Sequence, residues 1–277
     1  MGKIILLNTP IGNLGDLTPR VLEALKSGET FAVEDTRVFK QLLNHLEISL
    51  QGKRILSLHD QSEDFQVSSL LDMARTTDLY VASEAGSPIV SDPAYPLVVA
   101  AYAAGIKVES YSGVSSPIMA LELSGLPPIP FHFHGFLPRE TGKINKIFAD
   151  LTYGTHIFFE APTRVEETLD ELQKTLPDAQ VAVVRELSKK FEQVVRFQSK
   201  DWIEIKKDVN FKGEFIFLVY QAAGQGKVIG SEIVAAAAEI MEKGAGPKPL
   251  AKLLSLILDR PTKDIYAELN RQKKNEN

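Results

Sequence analysis

Residues that can move protons or hold charge recur in this 277-residue chain directly after short apolar runs. Glu34-Asp35-Thr36-Arg37 follows Thr30–Val33, and His59-Asp60-Gln61-Ser62-Glu63 follows Ile55–Leu58. A carboxylate or imidazole at such a place can take the proton of a weak nucleophile such as a hydroxyl. An imidazole's ordinary pKa of roughly 6.5 suits that task. Glu34, Asp35 and His59 are therefore the candidate catalytic groups, and their spacing does not choose among them. Glu34 and Asp35 equally suit an ion pair with Arg37 or the charge that favours a helix N-terminus. Cations leave other runs: Arg37, Arg139, Arg164, Arg185 and Lys189, a set that can hold the phosphates of a nucleic acid. His132 and His134 alternate onto one face of a strand, but no third ligand stands near and the chain has no cysteine, so no metal is expected.

Three further loops carry small residues instead of charge. Thr9-Pro10-Ile11-Gly12-Asn13-Leu14-Gly15-Asp16, Ser83-Glu84-Ala85-Gly86-Ser87 and Ser112-Gly113-Val114-Ser115-Ser116-Pro117 leave the backbone itself as the exposed surface. Neither a Gly-Lys-Ser/Thr phosphate loop nor a GxGxxG fingerprint is present.

The elements that must position these loops alternate. Strands are expected over Lys3–Leu7, Thr30–Val33, Ile55–Leu58, Leu79–Ala82 and Lys107–Tyr111. Helices are expected between them, the first with Thr18 as N-cap and Pro19 as its opening residue, the fourth opening at Pro96. That alternation reads as a mostly parallel α/β sheet with helices on both faces, which binds ligands outside the carboxyl ends of its strands. Leu126-Pro127-Pro128-Ile129-Pro130 is a stiff linker. Beyond it, Phe131–Phe136, Thr155–Phe159, Gln180–Val184, Gln193–Gln198 and Phe215–Tyr220 read as strands of a second, mixed α/β unit, the last two as an antiparallel pair joined by a turn holding Trp202. Gln225-Gly226-Lys227 is a second linker, and three short helices follow, over Ser231–Lys243, Pro249–Leu258 and Thr262–Arg271. The expected division is 1–125, 131–222 and 227–277.

The composition is that of a globular protein, 44% hydrophobic and 24% charged. The net charge of −5 argues against a surface coated with cations, although Glu242–Asn277 carries eight Lys/Arg against five Asp/Glu. No apolar run reaches the roughly 20 residues that span a bilayer. The N-terminal run lacks a cleavage site and a myristoylation pattern, so a cytoplasmic location is expected.

Set side by side, six strand-exit motifs fall in a recognisable order. They are Thr9–Leu14, Glu34–Arg37, Ser83–Pro93, Gly135–Pro138, Phe159–Arg164 and Arg185–Lys189. Together they resemble the tetrapyrrole-methylase-like class of S-adenosylmethionine-dependent methyltransferases. Within it they are most similar to the branch that 2′-O-methylates a cytidine of 16S ribosomal RNA in the small ribosomal subunit. A methyltransferase acting on a tetrapyrrole or related small molecule shares the fold and cofactor, and a noncatalytic nucleotide- or RNA-binding module is a third reading. The resemblance implies two α/β/α domains facing each other across a cofactor cleft, a small C-terminal helical domain, and a homodimer. It implies that Pro10, Ala85, Gly86, Ser87, Val90, Ser115, Ser116, Glu160 and Leu187 bind S-adenosylmethionine. RNA then falls to Asn13, Arg37, Arg139, Arg164, Arg185 and Lys189. The chain departs from the class at Glu84, where Asp is usual, at Ile89 and Ala94, where Gly is usual, and at His59–Glu63.

Overall fold

Five four-residue strands form the first sheet in a computed structural model that describes residues 2–59 and 64–222, with 236–237, 239–241, 243–258, 261–263, 265–267 and 269 of the C-terminal part. The sheet strands are β1 (Ile4–Leu7), β2 (Thr30–Val33), β3 (Arg54–Ser57), β4 (Leu79–Ala82) and β5 (Val108–Tyr111). All neighbours run parallel, in the order β3-β2-β4-β1-β5. β1 is buried along its whole length, the continuous apolar pattern of a strand covered on both faces.

Helix α1 (Pro19–Ser27) is capped by the Thr18 hydroxyl, which accepts from Val21 N–H at 3.4 Å, with Pro at the position whose N–H would have no partner. α1 and α2 (Thr36–His45) cover one face through Val21, Leu25, Phe39 and Leu43, packed on Ile5, Leu7 and Phe31. α3 (Asp64–Thr76) and α4 (Tyr95–Ala103) cover the other through Leu70, Ala74, Leu97 and Ala101, packed on Ile4, Leu6 and Val81. Each fully buried aliphatic side chain contributes about 1.5–3 kcal/mol.

The contacts divide the chain into two compact units: residues 1–119 with 186–192, and the remainder. The division falls within α5 (Ser116–Ser124). The second unit's sheet is β6 (Phe131–Phe136), β7 (Gly154–Glu160), β8 (Gln180–Arg185), β9 (Gln193–Gln198) and β10 (Phe215–Gln221), in the order β6-β7-β10-β8-β9. β6 and β7 are parallel and every other pair is antiparallel, so the expected mixed sheet is observed. The expected pairing of Gln193–Gln198 with Phe215–Tyr220 is corrected. β9 and β10 lie on opposite sides of β8, each antiparallel to it, because the more apolar FIFLVYQ run takes the buried central place. α6 (Thr141–Ala149) and α7 (Val165–Thr175) cover this sheet, burying Ile144, Phe148, Leu169 and Leu172 against Phe158, Phe217 and Trp202. Near the C-terminus, α9 (Pro247–Leu258), which follows the short α8 (Trp202–Ile205), packs Leu250, Ala251 and Leu254 with Ala237, Ile265 and Leu269. The expected linker 225–227, the start of the first C-terminal helix and Asp60–Glu63 lie outside the described residues.

Candidate functional site

Strand order creates the site. β1 and β4 are neighbours, yet the chain leaves β1 towards β2 and leaves β4 towards β5, on the other side. Right-handed crossovers therefore put α1 and α4 on opposite faces, and the loops after β1 and β4 part at the sheet's carboxyl edge. A backbone bridge spans that point. Thr9 N–H donates to Gly86 O at 2.9 Å, and Gly86 N–H donates back to Thr9 O at 3.0 Å. Thr9 is fully buried, and its hydroxyl lies 3.4 Å from Ser83 O. Gly86 has φ +78°, a conformation that side chains resist, and a Cβ there would stand 3.2 Å from Ile11 Cγ2. The bridge fixes Pro10 on one side and Ala85 to Ser87 on the other. Val90 N–H donates to Ser87 O at 3.3 Å, closing the turn. On the far side of β1, Asn8 Nδ2 donates to Tyr111 O at 2.7 Å, tying the β5 exit to the same edge. Ser115 then caps α5 by accepting from Met119 N–H at 3.0 Å, and Ser116 begins it. Pro10, Ala85, Gly86, Ser87, Val90, Ser115 and Ser116 thus gather on one edge of one sheet.

The segment 186–192 joins this unit by packing on the first loop. At Gly12 a Cβ would lie 2.4 Å from Lys189 Cγ and 3.1 Å from Leu187 O, so only glycine permits the approach. Leu187 is buried between two residues in the left-handed region, Glu186 (φ 50°) and Ser188 (φ 62°). Such conformations cost about 1–3 kcal/mol each and persist where the surroundings impose them, often at ligand sites. Here Glu192 accepts from Ser188 N–H at 2.7 Å, and Lys189 pairs with Glu186 at 3.2 Å. The Ser188 hydroxyl is buried without a hydrogen-bond partner among the described residues. It is a polar group that a bound ligand can satisfy, and the sequence reading missed it. Asn13 is held by its own turn, its side chain accepting from Gly15 N–H at 2.9 Å.

The acidic groups separate into distinct roles. Asp35 caps α2, accepting from Arg37 N–H at 2.7 Å and from Val38 N–H, while the Arg37 guanidinium grips its other oxygen at 2.6 Å. These bonds hold its carboxyl well below the usual carboxylate range, which makes it a poor proton acceptor. Glu84 is the opposite case. Partial desolvation and the neighbouring Glu34 and Asp35 carboxylates push it up. Glu84 entered the sequence reading only as a departure, although a carboxylate leaving β4 was a visible signal. His59 is exposed and follows β3 on the same edge.

In the second unit the expected residues are mostly tied into the fold. Glu160 is buried. Its carboxylate accepts from Ala161 N–H at 2.8 Å and from the Thr168 hydroxyl at 2.9 Å, and pairs with Arg164 at 3.2 Å. Arg164 also donates to Pro138 O at 2.5 Å, bracing the loop after β6. Arg185 is buried and donates to Lys212 O. Arg139, in contrast, is exposed.

With this geometry in place, the profile of the Tetrapyrrole (Corrin/Porphyrin) Methylases matches residues 3–202. The chain belongs to the tetrapyrrole methylase family. Among its relatives, the ribosomal RNA small subunit methyltransferase I of Halalkalibacterium halodurans is 36% identical over 236 residues, covering 84% of this chain and 80% of that protein. The enzyme of the same name from Streptococcus pyogenes serotype M3 is 32% identical over 275 residues, covering 97% and 95%. Among solved structures, a Thermus thermophilus uroporphyrin-III C-methyl transferase complexed with S-adenyl homocysteine aligns with TM-score 0.51 at 20% identity, covering 79% of this chain and 98% of that one. The family fold agrees with the two α/β sheets described above.

Proposed function

We propose that this tetrapyrrole methylase family member transfers a methyl group from S-adenosylmethionine to a ribose 2′-hydroxyl of cytidine in small-subunit ribosomal RNA. The observation that carries the reading is the bridged edge between β1 and β4, set in a chain that matches small-subunit rRNA methyltransferases along 97% of its length. The residues suit the donor: Gly86 and its small neighbours leave main chain open to a ligand, and the buried Ser188 hydroxyl awaits a polar partner. Pro10, Ala85 to Ser87, Val90, Ser115, Ser116 and Leu187 would hold the donor.

When bound, S-adenosylmethionine supplies an electrophilic methyl group on a sulfonium. The protein's task is to hold the acceptor in line and to take its proton. Fixed geometry of that kind can replace about 7–11 kcal/mol of barrier. A ribose hydroxyl is a weak nucleophile, and Glu84, with Glu34 beside it, accepts its proton. Asp35 positions Arg37 and α2 instead. Arg37 and Arg139 offer their charge to the RNA backbone. The three-part division at 1–125, 131–222 and 227–277, a homodimer and a cytoplasmic location complete the proposal; among the described residues no helix is long and apolar enough to cross a membrane.

The test is transfer of labelled methyl to small ribosomal subunits from a strain lacking this activity, in parallel with a porphyrinogen acceptor. Label on the subunit alone supports the reading. Label on the porphyrinogen alone assigns a small-molecule substrate instead.

A further inference from the structure

The outer face of α4 is as apolar as its inner one. Its nine residues, YPLVVAAYA, include no charged side chain. Leu97 and Ala101 are fully buried in the first unit's core, with Val98 packed beside them. On the opposite side Tyr95, Val99 and Tyr102 are 63%, 49% and 67% exposed, and Pro96 and Ala103 are exposed with them. The i, i+4, i+7 spacing sets Tyr95, Val99 and Tyr102 in one stripe along the helix. α1 shows the ordinary arrangement, with Arg20, Glu23 and Lys26 on its exposed side. A helix that is apolar all round belongs inside an assembly, not at a water boundary.

Chemistry narrows what can cover the stripe. It offers no cation to the phosphates of a nucleic acid, on which such binding depends. It lacks the Lys/Arg flank of a helix that lies on a lipid surface. The occupant is therefore an apolar protein surface. The stripe is also close to its own reverse, because one tyrosine stands four residues before Val99 and the other three after it. A two-fold axis through Val99 lays α4 against a second α4 running the opposite way, tyrosine ends against tyrosine ends. Such an axis requires the same patch to complement itself, and this one does. The two tyrosines offer about 250 Å² of open surface per copy. That is the centre of an interface whose ordinary size is about 800 Å² per partner. Tyrosine suits such a centre, since its ring is buried while its hydroxyl reaches the wet rim.

We infer that the Tyr95–Val99–Tyr102 face of α4 is where two copies of this chain meet. The inference deepens the reading above by giving its homodimer a surface, and rests on that reading only for the number of copies. The position has a consequence for the donor site. Tyr95 follows directly on the loop that Val90 N–H closes on Ser87 O at 3.3 Å and Ala94 N–H closes on Pro88 O at 3.2 Å. A partner seated on α4 therefore stands against the end of that loop.

The test uses the full-length protein, which has no cysteine of its own. Sedimentation velocity is expected to give a particle of twice the 30.6 kDa chain mass. The double variant V99R/Y102R puts like charges on both sides of the axis. It is expected to raise the dimer dissociation constant at least a hundredfold, with an unchanged far-ultraviolet circular dichroism spectrum. A second measurement does not depend on that variant. Val99→Cys treated with a short bismaleimide is expected to yield a crosslinked dimer, whereas Glu167→Cys, exposed on α7, is expected to stay single. A wild-type dimer that survives V99R/Y102R, or crosslinking that is equal at the two cysteines, overturns the inference and leaves the homodimer standing on another face. A wild-type monomer overturns both the surface and the homodimer. Methyl transfer is not read in this experiment, so neither result bears on the ribosomal substrate.

Discussion

Thr9 and Gly86 exchange two backbone hydrogen bonds, 2.9 and 3.0 Å long, across the point where the chain parts company between β1 and β4. The pair joins two loops that are 77 positions apart and that both present small residues at the sheet edge. Gly86→Ala forces a side chain into φ +78° and against Ile11, a strain of about 1–2 kcal/mol. The expected result is a lower melting temperature and at least a tenfold loss of S-adenosylhomocysteine affinity by calorimetry. Unchanged affinity in a folded variant contradicts the assignment of this loop to the donor.

Asp35 and Glu84 offer a direct contrast at one edge. Glu84→Gln is expected to lower kcat at least tenfold while donor affinity is retained, since proton transfer by a positioned group contributes about 10²–10⁴-fold. Asp35→Ala removes the cap of α2 and the Arg37 clamp, so it lowers the melting temperature and affects kcat less. Equal kcat in Glu84→Gln and wild type removes Glu84 from the mechanism.

His156 gives the fold a pH dependence. It is buried, desolvation holds its pKa down to about 4, and the charged groups lining a cavity against it are Lys143, Lys146 and Asp150, with His132 and His134 beside it. The unfolded chain binds this proton below roughly pH 6.5 and the folded chain only near pH 4, so stability is intact above pH 6.5 and declines as the pH falls between those values. The full loss is about 3 kcal/mol, at about 1.4 kcal/mol per unit. Urea titrations of the wild type and His156→Phe between pH 7 and pH 4.5 measure it. The variant is expected to lose less stability than the wild type; parallel losses contradict the assignment.

Arg164 tests the difference between a cation for RNA and a strut. Its partner Glu160 has a fully buried side chain, so Arg164→Met leaves that charge with two hydrogen bonds and no counter-ion. The expected cost is about 3 kcal/mol in chemical denaturation. Arg139→Ala, at an exposed position, is expected to leave stability unchanged and to weaken RNA binding. An Arg164→Met protein as stable as wild type reverses the structural assignment.

These cases mark where local pattern is informative. The central strands of the first sheet, β1, β2 and β4, are each a short apolar run between turn residues, and each is a mostly buried strand followed in sequence by a helix. Thr18 before Pro19 and the small loops after β1, β4 and β5 are equally local signals. Pairing across long separations is different. The place of β10 between β7 and β8 is decided by which run buries best, and no spacing records it. His132 and His134 were legible as alternating residues, but their partner His156 arrives only through the β6–β7 register. Glu160, Arg164 and Arg185 resemble ligand-binding charges in sequence because the partners that engage them (Thr168, Pro138 and Lys212) become neighbours only on folding.

The central claim is that the bridged β1–β4 edge serves ribose methylation of small-subunit ribosomal RNA. Its most direct measurement is nucleoside mass spectrometry of 16S RNA after unmodified small subunits are incubated with the protein and isotope-labelled S-adenosylmethionine. The account predicts label in 2′-O-methylcytidine, lost in Gly86→Ala. Label confined to a base, or none in ribosomal RNA while the protein binds S-adenosylhomocysteine, contradicts it.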